Sequence, residues 1–530
     1  MLPGSTDAKI VDPAMALPKH APEAAPQPDD VLRDPDVAHL LGSPDHQGLE
    51  LPRSRQIYTN RNLRMDAISM VGFDMDYTLA VYSMRNIEEL AFHLTLSRLV
   101  DAKGYPKSIE SLKYDHEFVI RGLVVDKDHG NIFKMDRHNH VGRCYHGRRP
   151  LQAEKWRALY QNEKIRLSLP RFAWIDTLFS LPEACLYAEI IEAQEAKGEP
   201  VDYHRLYDDV RATIDEVHRD GSLKTELKKD LAKYIVKDPE LAPALHKLRS
   251  GGKKIFILTN SLWDYTDAVM TYLLDGQLPE YPSWRGYFDL VVVGAQKPGF
   301  FNEHRPFSEL NLDGSVAKPA AEALERGRVY EGGNLFDFER LSGHAGENVL
   351  YVGDHIYGDI IRNRKSSLWR TCFVVQELER EIAYIEEHGK SAARLTQLEG
   401  MRARLDDLIN HHKLILNALD RKLEKSPAND LEARRVQEKA HLEKLRKALK
   451  ATLLEGATTQ ETFERGANAY WGLVFKEGHE NSRFGEQVED YACLYTSRVS
   501  NFLYYSPMQF FRSPRDTMPH ERALELIVPR

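Results

Sequence analysis

The chain has 530 residues, 42% of them hydrophobic, and carries 72 Lys and Arg against 80 Asp and Glu, a net charge of −8. That apolar content fills substantial cores and excludes global disorder. The mild acidity excludes a nucleic-acid polymer as the default partner, because a phosphate backbone calls for a basic stripe.

Residues 1–50 read as a loose tail. Eight of the 26 prolines fall there with no apolar period, so burial does not offset the entropy of ordering. The start of the chain has neither the basic nor the apolar region of a signal peptide. No apolar run approaches the ~20 residues of a membrane span. A cytoplasmic protein with no membrane partner is expected. Cys144, Cys185, Cys372 and Cys493 are too scattered for a disulfide framework and read as buried small hydrophobes in a reducing compartment.

Ala67 to Phe73 is the first apolar run, and it ends in Asp74-Met-Asp76-Tyr-Thr78. Ile255 to Leu258 ends in Thr259-Asn260-Ser261, Leu290 to Val293 precedes Gly294-Ala-Gln-Lys297, and Val349 to Val352 ends in Gly353-Asp354. Such short β-branched and aliphatic runs, apolar on both faces, predict parallel strands. A helix over Leu241–Arg249, stopped by glycines before the Ile255 run, supplies the alternation of an α/β core. The core is assigned to residues 51–81 and 242–377.

Residues 82–241 form an insertion of about one small domain. It reads as an α+β cap, with helices at Ile87–Leu99 and Tyr203–His218 and strands at Phe118–Val125 and Asn131–Met135. His138 and His140 are placed in a solvated loop of this cap. Residues 378–454 carry leucines at helical spacing among Glu, Lys and Arg, interrupted by Ser426-Pro427, and predict a helical hairpin. Its charges read as a solvated face and its His411-His412 pair as surface; none of the histidines shows a paired zinc spacing. Residues 455–530, aromatic-rich from Phe463 to Phe511, are expected to pack back on the core.

Four polar clusters thus sit at the carboxyl ends of four predicted strands, the edge where open α/β sheets bind ligands. Asp74 and Asp76 fit a nucleophile and a general acid. A carboxylate attacks phosphorus to give an aspartyl-phosphate, and the second carboxyl protonates the leaving oxygen and then activates water. An ordinary turn with Asx hydrogen bonds is the competing reading of this pair. Thr259, Asn260 and Ser261 offer donors to phosphate oxygens, and Lys297 a charge for a phosphoryl transition state. Asp354 and Asp359 offer carboxylates to a hard cation such as Mg²⁺. Each signal is weak alone; the four in this order form one constellation.

The order Asp-x-Asp-x-Thr, Thr/Ser, Lys, Gly-Asp-x-x-x-x-Asp resembles the haloacid dehalogenase (HAD) superfamily of phosphohydrolases. Phe73-Asp-Met-Asp-Tyr-Thr-Leu-Ala-Val-Tyr82, Tyr351-Val-Gly-Asp-His-Ile-Tyr-Gly-Asp-Ile360 and Met518-Pro-His-Glu521 resemble the cytosolic purine 5′-nucleotidase family, in its branch preferring inosine and guanosine monophosphate. The resemblance runs from about Ile57 to Glu521. It implies a HAD-like Rossmannoid parallel-sheet core with the inserted cap and hairpin, and Mg²⁺-dependent hydrolysis of a purine nucleoside monophosphate, with phosphotransfer to a nucleoside allowed. In that resemblance Asp74 is the nucleophile and Asp76 the acid/base. Mg²⁺ is held by Asp74, the Asp76 carbonyl and Asp354, with Asp359 supporting its shell. Thr259, Asn260, Ser261 and Lys297 hold the phosphate. It further implies that Phe179 stacks on the base, that Arg211 and Asp215 read the purine with His218 beside them, and that Lys224 lies near the phosphate or ribose. Read without the resemblance, Arg211 and Asp215 are a surface ion pair and Phe179 a core aromatic.

A homo-oligomer is also implied, as is an adenine-nucleotide effector site at Tyr357, Gln487 and Tyr491. Asp490, acidic where the family is basic, argues against an ATP response. Two other readings stay open: a phosphatase for another small phosphate ester, and a scaffold that recruits a partner through the hairpin.

Overall fold

The computed structural model describes residues 51–163, 165–355, 359, 367–518 and 521, together with Pro35. The predicted tail otherwise lies outside the described residues, as do Tyr357 and the Pro519-His520 pair.

The apolar runs become strands of one ten-stranded sheet. In chain order these are β1 (Tyr58–Thr59), β2 (Met70–Phe73), β3 (Lys254–Leu258), β4 (Leu290–Val293), β5 (Phe307–Leu310), β6 (Val316–Lys318), β7 (Val329–Gly332), β8 (Val349–Gly353), β9 (Arg370–Val374) and β10 (Leu494–Thr496). Their spatial order is β1-β10-β9-β8-β2-β3-β4-β7-β5-β6, and every neighbouring pair from β10 to β7 is parallel.

A parallel sheet covered on both faces carries apolar side chains on both, which is why these strands read as continuous runs. Successive residues feed two separate cores. Val71, Phe73, Ile255, Ile257, Val291, Val293, Leu350 and Val352 pack on one face. Met70, Phe256, Leu258, Leu290, Val292, Val349 and Tyr351 pack on the other. Gly72 is required where it stands, because a Cβ there would lie 2.1 Å from the Phe256 ring.

From β2 the chain moves outward through β3, β4 and β7. It then returns to the other side of β2 as β8 and moves outward again through β9 and β10. The reversal at β2 is a topological switch point, where the carboxyl ends leave a crevice.

Residues 82–241 contain a five-stranded antiparallel sheet, ordered Arg149–Pro150, Val141–His146, Asn131–Met135, Leu123–Asp126 and Phe172–Trp174. The helices Met84–Lys103, Leu181–Ala196 and Tyr203–Arg219 accompany it. The strand predicted from Phe118 starts only at Leu123. Gly122 takes φ +90° and passes so close to Phe484 that a Cβ would meet it at 2.6 Å, and the residues before it turn toward the main sheet.

Helices Gly389–Lys425 and Asn429–Ala467 pack along each other over Ile409, Leu416 and Leu442. They part at Ser426, which is extended because the residue before a proline is pushed out of the α region. The second helix overruns Leu454, where the leucine spacing fades, so residues 455–467 belong to the hairpin and not to the closing segment. Its last turns are held by tertiary contacts instead, including the Tyr384 hydroxyl bonded to the Phe463 carbonyl at 2.6 Å. Among the described residues no helix is long and apolar enough to cross a membrane.

Candidate active site

Asp74 directly follows β2. Its N–H donates to the Val352 carbonyl at 2.9 Å, extending the β2–β8 ladder and placing the side chain at the carboxyl edge. Oδ1 accepts from the Met75 N–H at 2.7 Å, and Oδ2 lies 2.9 Å from Lys297 Nζ. Lys297, on the loop after β4, also donates to Asp359 Oδ1 at 2.7 Å and to the Tyr351 hydroxyl at 2.8 Å. That hydroxyl donates to the Leu258 carbonyl at 2.9 Å. Burial works against the Lys297 charge, but Asp359 and Asp74 outweigh it and hold the ammonium above its usual range.

Asp354 follows β8, and Asp359 folds back over the same strand end. The return is possible because position 353 is glycine: a Cβ there would sit 2.6 Å from Asp359 Oδ2. Carboxylate oxygens of Asp74, Asp354 and Asp359 lie within 4.8 Å of one another. Burial pushes Asp74 up to about 7 against the pull of Lys297, with Asp359 and Asp76 adding to the rise. Burial, Asp359 and Asp74 likewise push Asp354 well above the ordinary carboxyl range.

With all three carboxylates ionised, the one lysine leaves two negative charges uncompensated, and that repulsion adds to burial in raising Asp74 and Asp354. Asp354 Oδ2 is buried with no hydrogen-bond partner among the described residues. An orphaned carboxylate oxygen within an all-oxygen, doubly negative cluster fits a hard divalent cation. The Asp74, Asp354 and Asp359 carboxylates could hold it.

Asp76 stands at the mouth of this cluster. Its Oδ1 accepts from the Tyr82 hydroxyl and its Oδ2 from the Ser261 hydroxyl, both at 2.6 Å. Lys224, on the helix Ser222–Lys229, donates to Ser261 Oγ at 2.9 Å, and Tyr82 meets the Tyr265 hydroxyl at 2.9 Å. Hydroxyls donate or accept by rotation, so this network accommodates Asp76 with or without a proton. Thr259 Oγ1 accepts from the Ser261 N–H at 3.1 Å and shapes the turn after β3. The Asn260 side chain turns toward the loop after β4. Its two polar ends clasp the Lys297 backbone at 2.9 and 2.6 Å, so it positions the lysine loop.

Of the predicted base-reading residues, Phe179 and His218 connect to the Asp76 loop through the Tyr77 ring. Tyr77 takes φ 55°, in the left-handed region that bulky residues rarely adopt. Its ring meets Phe179 edge-on at 4.7 Å. Phe179 in turn meets His218 edge-on at 5.3 Å. His218 Nδ1 bonds the Ile214 carbonyl at 2.8 Å, which assigns the proton to Nδ1 and leaves Nε2 an acceptor. That Nε2 is buried and has no partner among the described residues, and burial lowers the imidazole's pKa, favouring the neutral form. Arg211 donates to Glu183 at 2.8 Å and to Asp215 at 3.3 Å.

A model of the 5′ nucleotidase family matches residues 57–523. The chain belongs to the 5′ nucleotidase family. It is 33% identical over 473 residues to a 5′-nucleotidase domain-containing protein of Dictyostelium discoideum, covering 88% of this chain and 75% of that one. It is also 30% identical to 5′-nucleotidase domain-containing protein 2 of rat over 507 residues, 92% of this chain and 83% of the relative. The human protein of that name is 30% identical over 487 residues, 88% and 85% of the two chains. The protein is an enzyme of the 5′-nucleotidase class.

Several residues that sequence reasoning passed over complete this nucleotidase's site. Arg121 is fully buried and donates to the Asp354 carbonyl at 2.8 Å, while its Nε and Nη2 fork onto Glu377 at 2.7 and 2.5 Å. Its guanidinium lies over the Phe373 and Phe484 rings at 5.4 and 5.2 Å. Standing in the insertion, it ties the Asp354 loop to Glu377 at the end of the core and to Phe484 of the closing segment. The signal was a lone arginine inside the run Phe118-Val-Ile-Arg-Gly-Leu-Val-Val. Tyr351 and Glu183 looked like ordinary strand and helix residues. Of the predicted effector residues, Gln487 is buried and Tyr491 half-buried on the helix Arg483–Tyr491.

Proposed function

We propose that this protein is a Mg²⁺-dependent phosphohydrolase of the HAD type that converts purine nucleoside 5′-monophosphates, inosine and guanosine monophosphate, to nucleoside and phosphate. The observation that carries the proposal is the buried cluster of Asp74, Asp354, Asp359 and Lys297 at the switch point, with one carboxylate oxygen unpartnered among the described residues.

Asp74 Oδ2 attacks phosphorus as the bond to the ribose oxygen breaks. Asp76 delivers a proton to that oxygen, so neutral nucleoside leaves and an aspartyl-phosphate remains on Asp74. Water then attacks the phosphorus, gives its proton to Asp76, and releases phosphate from Asp74; a nucleoside hydroxyl in place of that water gives phosphotransfer. Lys297 neutralises phosphoryl oxygens in both steps. Asp74, the Asp76 carbonyl and Asp354 would hold Mg²⁺, with Asp359 behind them, and Mg²⁺ would offset the charge that builds on the phosphoryl group. Ser261 and Lys224 lie where the phosphate meets the ribose. His218 Nε2 accepts from the nucleoside, Arg211 and Asp215 match the acceptors and donor on the edge of a 6-oxopurine, and Phe179 covers its face. The protein is proposed to act in the cytoplasm as a homo-oligomer.

A phosphate-release panel of mononucleotides, with Mg²⁺ or a chelator and with or without ATP, tests this reading. Inosine and guanosine monophosphate are expected to turn over only with Mg²⁺, and ATP to leave the rate unchanged. Equal rates on cytidine and uridine monophosphates would remove the roles given to Arg211, Asp215 and His218. Undiminished turnover in chelator would remove the metal.

Arg121 gives a separate expectation. Arg121→Met frees the Asp354 loop, so the Mg²⁺ concentration for half-maximal rate should rise about 10–100-fold, the usual cost of losing an outer partner of a metal ligand. The KM for nucleotide at saturating Mg²⁺ should move far less. Arg121→Lys cannot rebuild the fork on Glu377 and should not rescue the loss. A Mg²⁺ titration of the rate that matches wild type would show that Arg121 only packs.

A further inference from the structure

The helical hairpin carries a second cluster with metal-ligating chemistry, far in sequence from the catalytic residues. Glu438 and His441 sit three apart on the helix Asn429–Ala467, hence on one face. His412 faces them from the helix Gly389–Lys425. His412 Nδ1 lies 2.6 Å from Glu438 Oε2, and the His412 and His441 rings are 5.6 Å apart. One ligating atom from each of the three lies within 4.8 Å of the others. The floor is apolar, with Leu442 next to His441 in sequence and Ile409 and Leu416 flanking His412. Glu438 is buried, and the two histidines are only partly exposed. Glu-x-x-His on one helix, completed by a side chain from its partner, is a donor arrangement that helical bundles use for metals.

We infer that His412, Glu438 and His441 form a binding site for a borderline transition-metal dication, Zn²⁺ in the first instance, that staples the hairpin. The donor set decides the class of ion. Two imidazoles and one carboxylate suit Zn²⁺ and its first-row neighbours, whereas Mg²⁺ prefers the all-oxygen cluster at Asp74, Asp354 and Asp359. Three protein ligands leave the fourth tetrahedral position to water, as in open zinc sites. With metal–ligand bonds of about 2.0–2.2 Å, tetrahedral ligand atoms stand roughly 3.4 Å apart, so the His412–Glu438 pair at 2.6 Å must open to admit the ion. The helices need not move for such rotamer adjustments. Binding takes neutral imidazoles and so displaces any proton shared between His412 and Glu438.

The test uses the full-length protein in excess Mg²⁺, which occupies the oxygen-only site. Co²⁺ is titrated in, and the visible absorption of four-coordinate, nitrogen-ligated Co²⁺ is read. One equivalent is expected to bind, and Zn²⁺ to displace it. His412→Gln and His441→Gln should each weaken binding by more than about 100-fold, since a lost ligand costs more than a lost outer partner. Their Mg²⁺-supported phosphate release should match wild type, because neither residue belongs to the catalytic site. Zn²⁺ should raise the melting temperature of the wild type and not of the variants, by linkage. The absence of a Co²⁺ spectrum in wild type overturns the site whatever the variants do. So does a spectrum that survives in both variants. Glu438→Gln, which keeps shape and helix propensity, replaces either histidine variant whose circular dichroism shows lost helix.

Discussion

Asp74→Asn is expected to abolish phosphate release from inosine monophosphate, by at least about 10⁴-fold, as loss of a nucleophile does when the rest of a catalytic set remains. The amide keeps the side chain's shape, and its oxygen can still accept from the Met75 N–H. Lys297 keeps Asp359 at 2.7 Å and Tyr351 at 2.8 Å, so the fold should survive. Stability should even gain at neutral pH without divalent ions. The Asp74 carboxyl titrates at about 7 in the fold, above its usual value. The unfolded chain therefore releases this proton first, and stability falls as pH rises from the ordinary carboxyl range to about 7. Asparagine removes that loss. A melting curve in chelator should place Asp74→Asn at or above wild type at pH 8, with the two converging toward acid pH. The Mg²⁺-induced rise in melting temperature should be smaller in the variant. Wild-type turnover by Asp74→Asn would end the nucleophile assignment.

Lys297→Met has a different signature, because it damages both chemistry and fold. It leaves Asp74, Asp354 and Asp359 facing one another with no cation, and removing one partner of a buried charge cluster costs about 3–5 kcal/mol. Protonation of the orphaned carboxylates relieves part of that cost. The deficit in melting temperature should therefore shrink as pH falls and widen as it rises. Turnover should drop about 10²–10³-fold, the scale of one lost electrostatic donor to a transition state. Mg²⁺ should restore much of the stability and little of the rate, because a cation at the carboxylates does not replace the ammonium that spans Asp74 and Asp359. A Lys297→Met protein that melts like wild type in chelator at pH 8 would show that the carboxylates do not share one field.

The hairpin shows where reading a sequence fails. Each of its helices declared itself by leucine spacing, and Ser426-Pro427 marked the break. Yet His411-His412 read as a surface pair, because His412 offers no donor spacing on its own helix and Glu438-x-x-His441 on the other is an incomplete set until the two helices pair. The site's parts are 26 residues apart from His412 to Glu438, and the register in which the two helices pack decides whether they meet. Arg121 is a similar case. It lay unremarked inside the strand predicted over Phe118–Val125, and only the approach of Glu377, Phe373 and Phe484 makes it a buried clamp on Asp354. Asn260 carried the right chemistry for phosphate, but the geometry of the β3 and β4 ends turns its amide onto the Lys297 backbone.

What the sequence determined by itself was local and periodic. It held the four apolar runs that must be buried on both faces, the polar clusters that end them, and the residue types that phosphoryl transfer needs. Those follow from side-chain chemistry and from neighbours a few positions away. The tertiary structure decided which clusters meet and what charge they share. Strand order puts β8 beside β2, and β4 on its other side one strand beyond β3, and so brings Asp354 and Lys297 to Asp74 across more than 200 residues of chain. Burial there, with the neighbouring carboxylates adding to it, raises the Asp74 and Asp354 carboxyls and leaves one oxygen without a partner among the described residues. The net charge of −8 spoke to the surface as a whole. The local field in the crevice is set by distances of a few ångströms in a low-dielectric interior, which no composition records.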